Sequence, residues 1–372
     1  MAGQIVRRGP GRWLVRIYLG RDAAGKRRYH NKTIHGTKRD ADRYRTKTLR
    51  ELDTGTFVEA SQRTLEDFLN EWLEVSVKPR VRQRTHQDYS SLAARYLIPS
   101  LGHLRLSQIS ATDIQRVYAD LQERGLSPRT VRYTHSVLHS SLEQAVKWRM
   151  LARNPAKLVD LPRQERREMQ VLGPDEATRF LDAASSDRWF ALWALLLTTG
   201  LRPGEALALK WSDLDGERLR VQRNLARHAG GSWQFAEPKS ARARRVVTLP
   251  ASILRVLQAR RKRQLKERLK AGERWEHNDL IFASQTGQPL DFPVTVRRHF
   301  KPILKRASLP PIRPYDLRHT CATLLLAAGE NVKVVSERLG HASATLTLDV
   351  YSHVLPDMQQ QAAERLEGML FG

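Results

Sequence analysis

One cysteine, Cys321, stands in 372 residues, so no internal disulfide can form. It sits on an apolar helical stripe, which predicts a buried thiol and not a reactive one. The twelve histidines suggest no metal site of recognisable spacing, and none is expected. No apolar run approaches the roughly 18 residues of a membrane-spanning helix. The opening residues, MAGQIVRRGPGRW, lack the apolar centre of a signal peptide, so a cytoplasmic protein with no membrane partner is expected.

Acidic residues are also scarce relative to basic ones. There are 39 Asp or Glu against 64 Lys or Arg, a formal net charge of +25. An excess of that size along a whole chain suits a polyanion, and nucleic acid is the first candidate. The length allows two or three domains, each with its own core.

The most informative stretch is PYDLRHTCATLLLAAGENVKVVSERLGHASATLTLDVY, residues 314–351. Leu317, Thr320, Cys321, Leu324, Leu325 and Ala328 recur at helical spacing, with Asp316 expected to cap the first turn and Gly329 to end the last. Val332, Val335 and Leu339 mark a second helix that stops at Gly340, which leaves His341 in the following turn. Ser343 can open a third, short helix that delivers Tyr351. Four polar groups are surplus to this apolar pattern: Tyr315, Arg318, His341 and Tyr351. Singly, each has an ordinary explanation as a solvated charge, a cap or packing; together they suggest a site.

The string YDLRHT, then LGH, then Tyr351 ten residues after His341, resembles the signature of the tyrosine recombinases, the phage-integrase family. Upstream, TTGLRPGEALALKWSDLD resembles the family's first arginine box, and Lys239 falls where its hairpin lysine is expected. The resemblance covers most of residues 170–355. One position departs from it, since Tyr315 stands where the family most often has histidine.

In chain order, residues 13–19 and 26–34 read as paired strands, followed from Thr37 by a basic helix that ends before Gly55. The first 60 residues hold 15 Lys or Arg and 6 Asp or Glu. Arg16, Arg27, Arg28 and Lys32, on or beside the strands, could lay a strand face into a DNA groove, much as in the arm-binding domain of some integrases. Thr64 and Asp67 start a helical region, with further helices near 85–96, 112–123 and 127–148. Its edge cations Arg80, Arg82, Arg84, Arg129 and Arg132 are candidate DNA contacts, and the resemblance implies a core-binding domain. LPRQERREMQ reads as an extended linker. Helices are expected at 173–184 and 189–199, strands at 218–225, 232–236 and 245–249, a solvated or DNA-flanking basic helix at 253–270, and another helix at 293–306. Met358, Ala362, Leu366 and Met369 or Leu370 follow helical spacing after Pro356.

The expected fold is therefore α+β and mostly helical. It comprises an arm-type DNA-binding domain over 1–60, a helical SAM-like core-binding domain over 61–160, a linker over 161–172, a mixed catalytic domain over 173–356 and a tail helix over 357–372.

Attack on a phosphodiester needs a nucleophile, positive charge around the transition state and a proton for the leaving 5′-oxygen. A tyrosine is only ~0.1% ionised at pH 7, so cations must help it. The resemblance assigns Tyr351 as nucleophile, Arg202 and Arg318 as the guanidinium pair, His341 as a further donor, Lys239 as general acid and Glu205 as their orienting partner. Tyr315 is given a positioning role. It further implies a covalent 3′-phosphotyrosine, no cofactor or metal, and a homo-tetramer on double-stranded DNA, with accessory DNA-bending or directionality proteins as possible partners. The function expected is site-specific recombination by the integrase of a phage or other mobile element. A non-catalytic DNA-binding regulator and a type IB topoisomerase-like enzyme are the alternatives.

Overall fold

The computed structural model describes residues 3–21, 24–54, 57–58, 61–164, 169–227, 233–236, 244–341, 343–351, 363–364 and 366–371. The chain divides into two compact units, Met1–Arg166 and Arg167–Gly372.

The first unit begins with an antiparallel sheet of β1 (Gln4–Gly9), β2 (Arg12–Arg21) and β3 (Arg27–His35) in that order. Strand β1 went unread in the sequence because consecutive Arg7 and Arg8 break the two-residue alternation. Helix α1 (Lys38–Asp53) starts in a capping box between Thr37 and Asp40. It covers one sheet face, where Val15, Ile17 and Ala41 form a small core. Directly opposed residues in an antiparallel pair share a face. Val15 opposes Lys32, whereas Arg16 opposes Asn31. Lys32 therefore belongs to the helix-covered side of the sheet and Arg16 to the other.

The rest of this unit is helical. Thr64 caps α2 (Leu65–Glu71), which runs on through a wide π-type turn, Trp72–Val77. Next come α3 (Gln83–Leu92), α4 (Ala111–Glu123) and α5 (Pro128–Lys147), the last capped by Ser127 with proline in its first turn. Phe68, Trp72, Tyr118 and Leu138 lie in their shared core. The expected linker is tied down at both ends. Asp160 exchanges hydrogen bonds with the Gln115 side chain, and the amide of the buried Leu172 donates to Thr320 Oγ1 at 3.1 Å.

In the second unit, α6 (Pro174–Ala184) and α7 (Phe190–Thr199) pack into the largest core, and α7 is buried on nearly every side. Short α8 (Pro203–Leu207) follows, then two small antiparallel sheets. One contains β4 (Leu214–Asp215), β5 (Arg218–Val221) and β8 (Arg245–Thr248); the other pairs β6 (Asn224–Arg227) with β7 (Trp233–Ala236). Helix α9 (Ala251–Ala271) exposes Arg255, Arg261, Lys262, Arg263, Lys266 and Arg268 as its composition suggested, but its inner side is buried. Arg260 and Gln264 are buried, Arg260 pairs with Glu267, and Gln264 accepts from the Trp211 indole at 2.6 Å. Residues 292–306 form one helical run ending in α10 (Lys301–Arg306).

Three helices then complete the unit: α11 (Asp316–Ala327), α12 (Val332–Leu339) and α13 (Ala344–Tyr351). Asp316 does not cap α11. Its buried carboxylate is gripped by Arg313 through Nε at 3.1 Å and Nη2 at 2.8 Å, which anchors the approach to the helix instead. No described helix is long and apolar enough to cross a membrane.

Candidate active site

Two left-handed helix ends bring the polar groups together. Helix α7 ends at Gly200, whose φ of 64° is left-handed, and a side chain there would meet Leu339 Cδ2 at 2.4 Å. Arg202 follows in extended backbone and precedes Pro203 at the start of α8. Glu205, three residues on, reaches back, with Oε2 accepting from the Arg202 amide at 3.0 Å and Oε1 from Arg202 Nη1 at 2.8 Å. This capping geometry explains why the glutamate must be the third helical residue. Gly340, with φ 68°, ends α12 in the same left-handed manner and leaves His341 with its amide bonded to Ser336 O at 3.0 Å.

Arg318, in the first turn of α11, is 1% exposed. Its Nη1 donates to the Gly200 carbonyl at 2.7 Å, while its Nη2 has no hydrogen-bond partner among the described residues. Burial, and then repulsion from Arg202, pushes this guanidinium down to about 10. Glu205, 3% exposed, is drawn below the usual carboxylate range against its own burial, by Arg245 first and then Arg202. His341 is pushed down to about 4, first by burial and then by the fields of Arg318 and Arg202, so its ring is neutral at pH 7. Its Nδ1 lies 2.8 Å from Thr347 Oγ1. One carboxylate thus sits among three arginines, and the only buried guanidinium nitrogen of Arg318 without a partner belongs to that cluster.

Arg245 is the member that sequence reasoning missed. The first residue of β8, it donates through Nη2 to Glu205 Oε2 at 2.9 Å and through Nε to the Arg338 carbonyl at 2.7 Å. A Cβ on Gly340 would come within 2.8 Å of its Nη1. Nothing in the run ARARRVV distinguishes this arginine from its neighbours; only its place at the strand's start, facing inward, would have offered a hint.

Of the other expected site residues, Tyr315 is 39% exposed and stacks edge-on with His319, ring centroids 5.3 Å apart, next to Arg318. Tyr351 ends α13. Lys239 lies outside the described residues. Cys321 is buried in α11, its thiol pushed up to about 11, first by burial, which fits the inert role expected of it.

The candidate DNA contacts are dispersed. Arg16 is exposed and lies over the Tyr29 ring at 3.9 Å, while Arg27, Arg28 and Lys32 are exposed on β3. In the helical part, Arg80 is bonded to Ser76 and Arg84 pairs with Asp88 at 3.1 Å. Arg82 and Arg129 are exposed. Arg132 is partly buried and donates to the Pro162 carbonyl at 3.2 Å, so it secures the linker's first residues. His135 and His139 stand one turn apart on α5, a spacing the sequence reading passed over, with ring centroids 5.5 Å apart. No group of three or more side chains able to hold a metal ion occurs among the described residues.

A profile described as "Phage integrase family" matches residues 170–358, slightly more than half of the chain. The chain belongs to the phage integrase family. A second profile, "Phage integrase, N-terminal SAM-like domain", matches residues 64–122. A tyrosine recombinase XerC-like protein of Caldanaerobacter subterraneus subsp. tengcongensis is 31% identical over 386 aligned positions, covering 98% of each chain. An integrase of Streptomyces ambofaciens is 31% identical over 373, covering 96% of this chain and 93% of its own. Among solved structures, the Tn1549 transposon integrase in complex with transposon right end DNA superposes with a TM-score of 0.69 at 23% identity, over 82% of this chain and 99% of that one, a likeness of fold. The α+β, mostly helical fold is that of this family. The protein is a tyrosine site-specific recombinase, the integrase of a mobile element, and DNA is its substrate.

Proposed function

We propose that the cluster around Arg318 grips the scissile phosphate while Tyr351 attacks it. The observation that carries this reading is the partnerless Nη2 of a guanidinium 1% exposed, beside Arg202 and Arg245 and with a single carboxylate, Glu205, to offset them. A buried donor without a partner is costly, and a non-bridging phosphate oxygen would satisfy it. Arg202, 34% exposed at its side chain and held by Glu205, supplies the second guanidinium, and neutral His341 a further N–H. The Tyr351 oxygen bonds to phosphorus as the bond to the 5′-oxygen breaks. The phenol releases one proton to solvent, the leaving oxygen gains one from Lys239, and solvent returns one to the lysine, so a 3′-phosphotyrosine forms with no net proton change. A 5′-hydroxyl from a second duplex reverses the step and exchanges the strands. Tyr315 positions this array from its rim.

On this reading residues 1–60 bind arm-type sites, with Arg16 on the uncovered sheet face, and 61–160 bind core-type sites. The recombining species is a homo-tetramer assisted by accessory DNA-bending proteins in the host cytoplasm. The test is a suicide substrate carrying the protein's own attachment site. Wild type should give an SDS-resistant adduct, and Tyr351→Phe should bind the same DNA and give none. An adduct with the Phe variant would reassign the nucleophile.

A further inference from the structure

His341 carries two ring nitrogens but, being neutral at pH 7, only one proton. Which nitrogen holds it decides whether the ring offers a phosphate a donor or a lone pair, and the partner of the other nitrogen sets the choice. That partner is Thr347: Oγ1 lies 2.8 Å from Nδ1, and Thr347 is 0% exposed, so no water competes for the contact. A threonine hydroxyl in a helix can instead donate to the carbonyl four residues back. Here Ser343 O takes the Ser336 hydroxyl at 3.2 Å, and the hydrogen-bond contact of the Thr347 hydroxyl among the described residues is the one to Nδ1. Thr347 also stands in α13, one helical turn before Tyr351, whereas His341 is fixed to the end of α12 through its own amide.

We propose that Thr347 is a positioning residue of the recombination reaction: its hydroxyl donates to His341 Nδ1, holds the imidazole proton on Nε2, and makes that donor's setting depend on the seating of the helix that ends in Tyr351. The inference rests on the reading of His341 as a phosphate donor. If α13 unseats, the hydroxyl leaves with it, and the ring can turn or change tautomer. Nucleophile and charge stabiliser then fail together, so a protomer whose Tyr351 is withdrawn is not left with a half-armed site.

Nitrogen-15 NMR of histidine-labelled protein, with the His341 signals identified by their loss in His341→Gln, reads the tautomer directly. Wild type should show Nδ1 without a proton and Nε2 with one. Thr347→Val, nearly the same in shape, should give a tautomer mixture and form the covalent adduct about tenfold more slowly at unchanged DNA affinity, as expected when one oriented donor is partly lost. Thr347→Ser should recover both readouts. A wild-type proton on Nδ1, or a Val variant with unaltered tautomer and rate, overturns the proposal. Should Thr347→Val fail to fold, the wild-type tautomer and the Ser variant still decide it. His341→Gln separates the two levels: full adduct formation by that variant would remove His341 from phosphate binding, while the NMR result would stand or fall by itself.

Discussion

Arg245 holds Glu205 from the side opposite Arg202: Nη2 of Arg245 meets Oε2 at 2.9 Å while Nη1 of Arg202 meets Oε1 at 2.8 Å. The same guanidinium bonds the Arg338 carbonyl at the end of α12, so it links β8, the first arginine box and the turn that presents His341. Replacing it with alanine leaves a buried carboxylate with one partner fewer and an orphaned carbonyl. Removing one member of a buried pair typically costs about 3–5 kcal/mol. Arg245→Ala should lose stability on that scale in denaturant titration and form adduct slowly even where folded. Arg245→Lys keeps the charge but not the two-directional reach, and should fall between. An alanine variant as stable and as fast as wild type would show that the contact does nothing.

That linkage marks the limit of what could be read from the sequence. Arg318, Gly340 and His341 were legible from local rules, an arginine surplus to an apolar stripe and a glycine helix end, whereas Arg202 and Glu205 were picked out by the resemblance of TTGLRPGEALALKWSDLD to the family's arginine box. Arg245 was not, because its partners lie 40 and 93 positions away and no local pattern encodes them. The helices over 64–148 were legible from caps and periodicity. Strand β1 was lost to adjacent arginines, and within the otherwise solvated basic face of α9 the buried Arg260 looks like its neighbours until Glu267 and Trp211 are in place. Asp316 looked like a cap for a similar reason: its true partner, Arg313, is itself mostly exposed.

His341 makes a pH prediction with a definite sign. Its folded pKa, about 4, lies below the ordinary value of 6.5, so between those pH values the unfolded chain binds a proton that the folded one does not. Stability should therefore rise with pH across that window, and be lost as pH falls from about 6.5 towards 4. His341→Gln should flatten the part of the curve due to this residue. Between pH 6 and 8 the ring is already neutral, so adduct formation should show no His341-dependent decline. A wild-type rate that falls through pH 6.5, and does so only when His341 is present, would mean the imidazolium is the working form.

Lys239 can be tested as an acid independently of its binding role. Lys239→Ala should cleave a normal substrate slowly, because an alkoxide leaving group needs a proton. A substrate whose 5′-bridging oxygen is replaced by sulfur has a leaving group that needs little protonation, and the variant should regain much of the wild-type rate on it. If the sulfur substrate is cleaved as slowly as the normal one, the lysine contributes charge to phosphate binding and some other group supplies the proton.

The tail bears on assembly. Leu366, Met369, Leu370 and Phe371 are 57%, 81%, 65% and 86% exposed, and residues 366–370 are helical. Four large apolar side chains on this short exposed helix and the turn after it would gain about 1.5–3 kcal/mol apiece if fully covered. Among the described residues nothing covers these side chains, and in the proposed tetramer a second copy on DNA is the surface that would. Deleting residues 357–372 should then leave the thermal unfolding of the free protein within about 0.5 kcal/mol of wild type, as for other exposed segments. It should leave binding to a single core site unchanged and lower the yield of paired-duplex complexes. Leu370→Asp together with Phe371→Asp should reproduce the assembly defect without shortening the chain. Were the truncated protein to unfold at a markedly lower temperature, the helix would belong to its own domain; were it to pair duplexes normally, exchange of the tail between protomers would have no part in assembly.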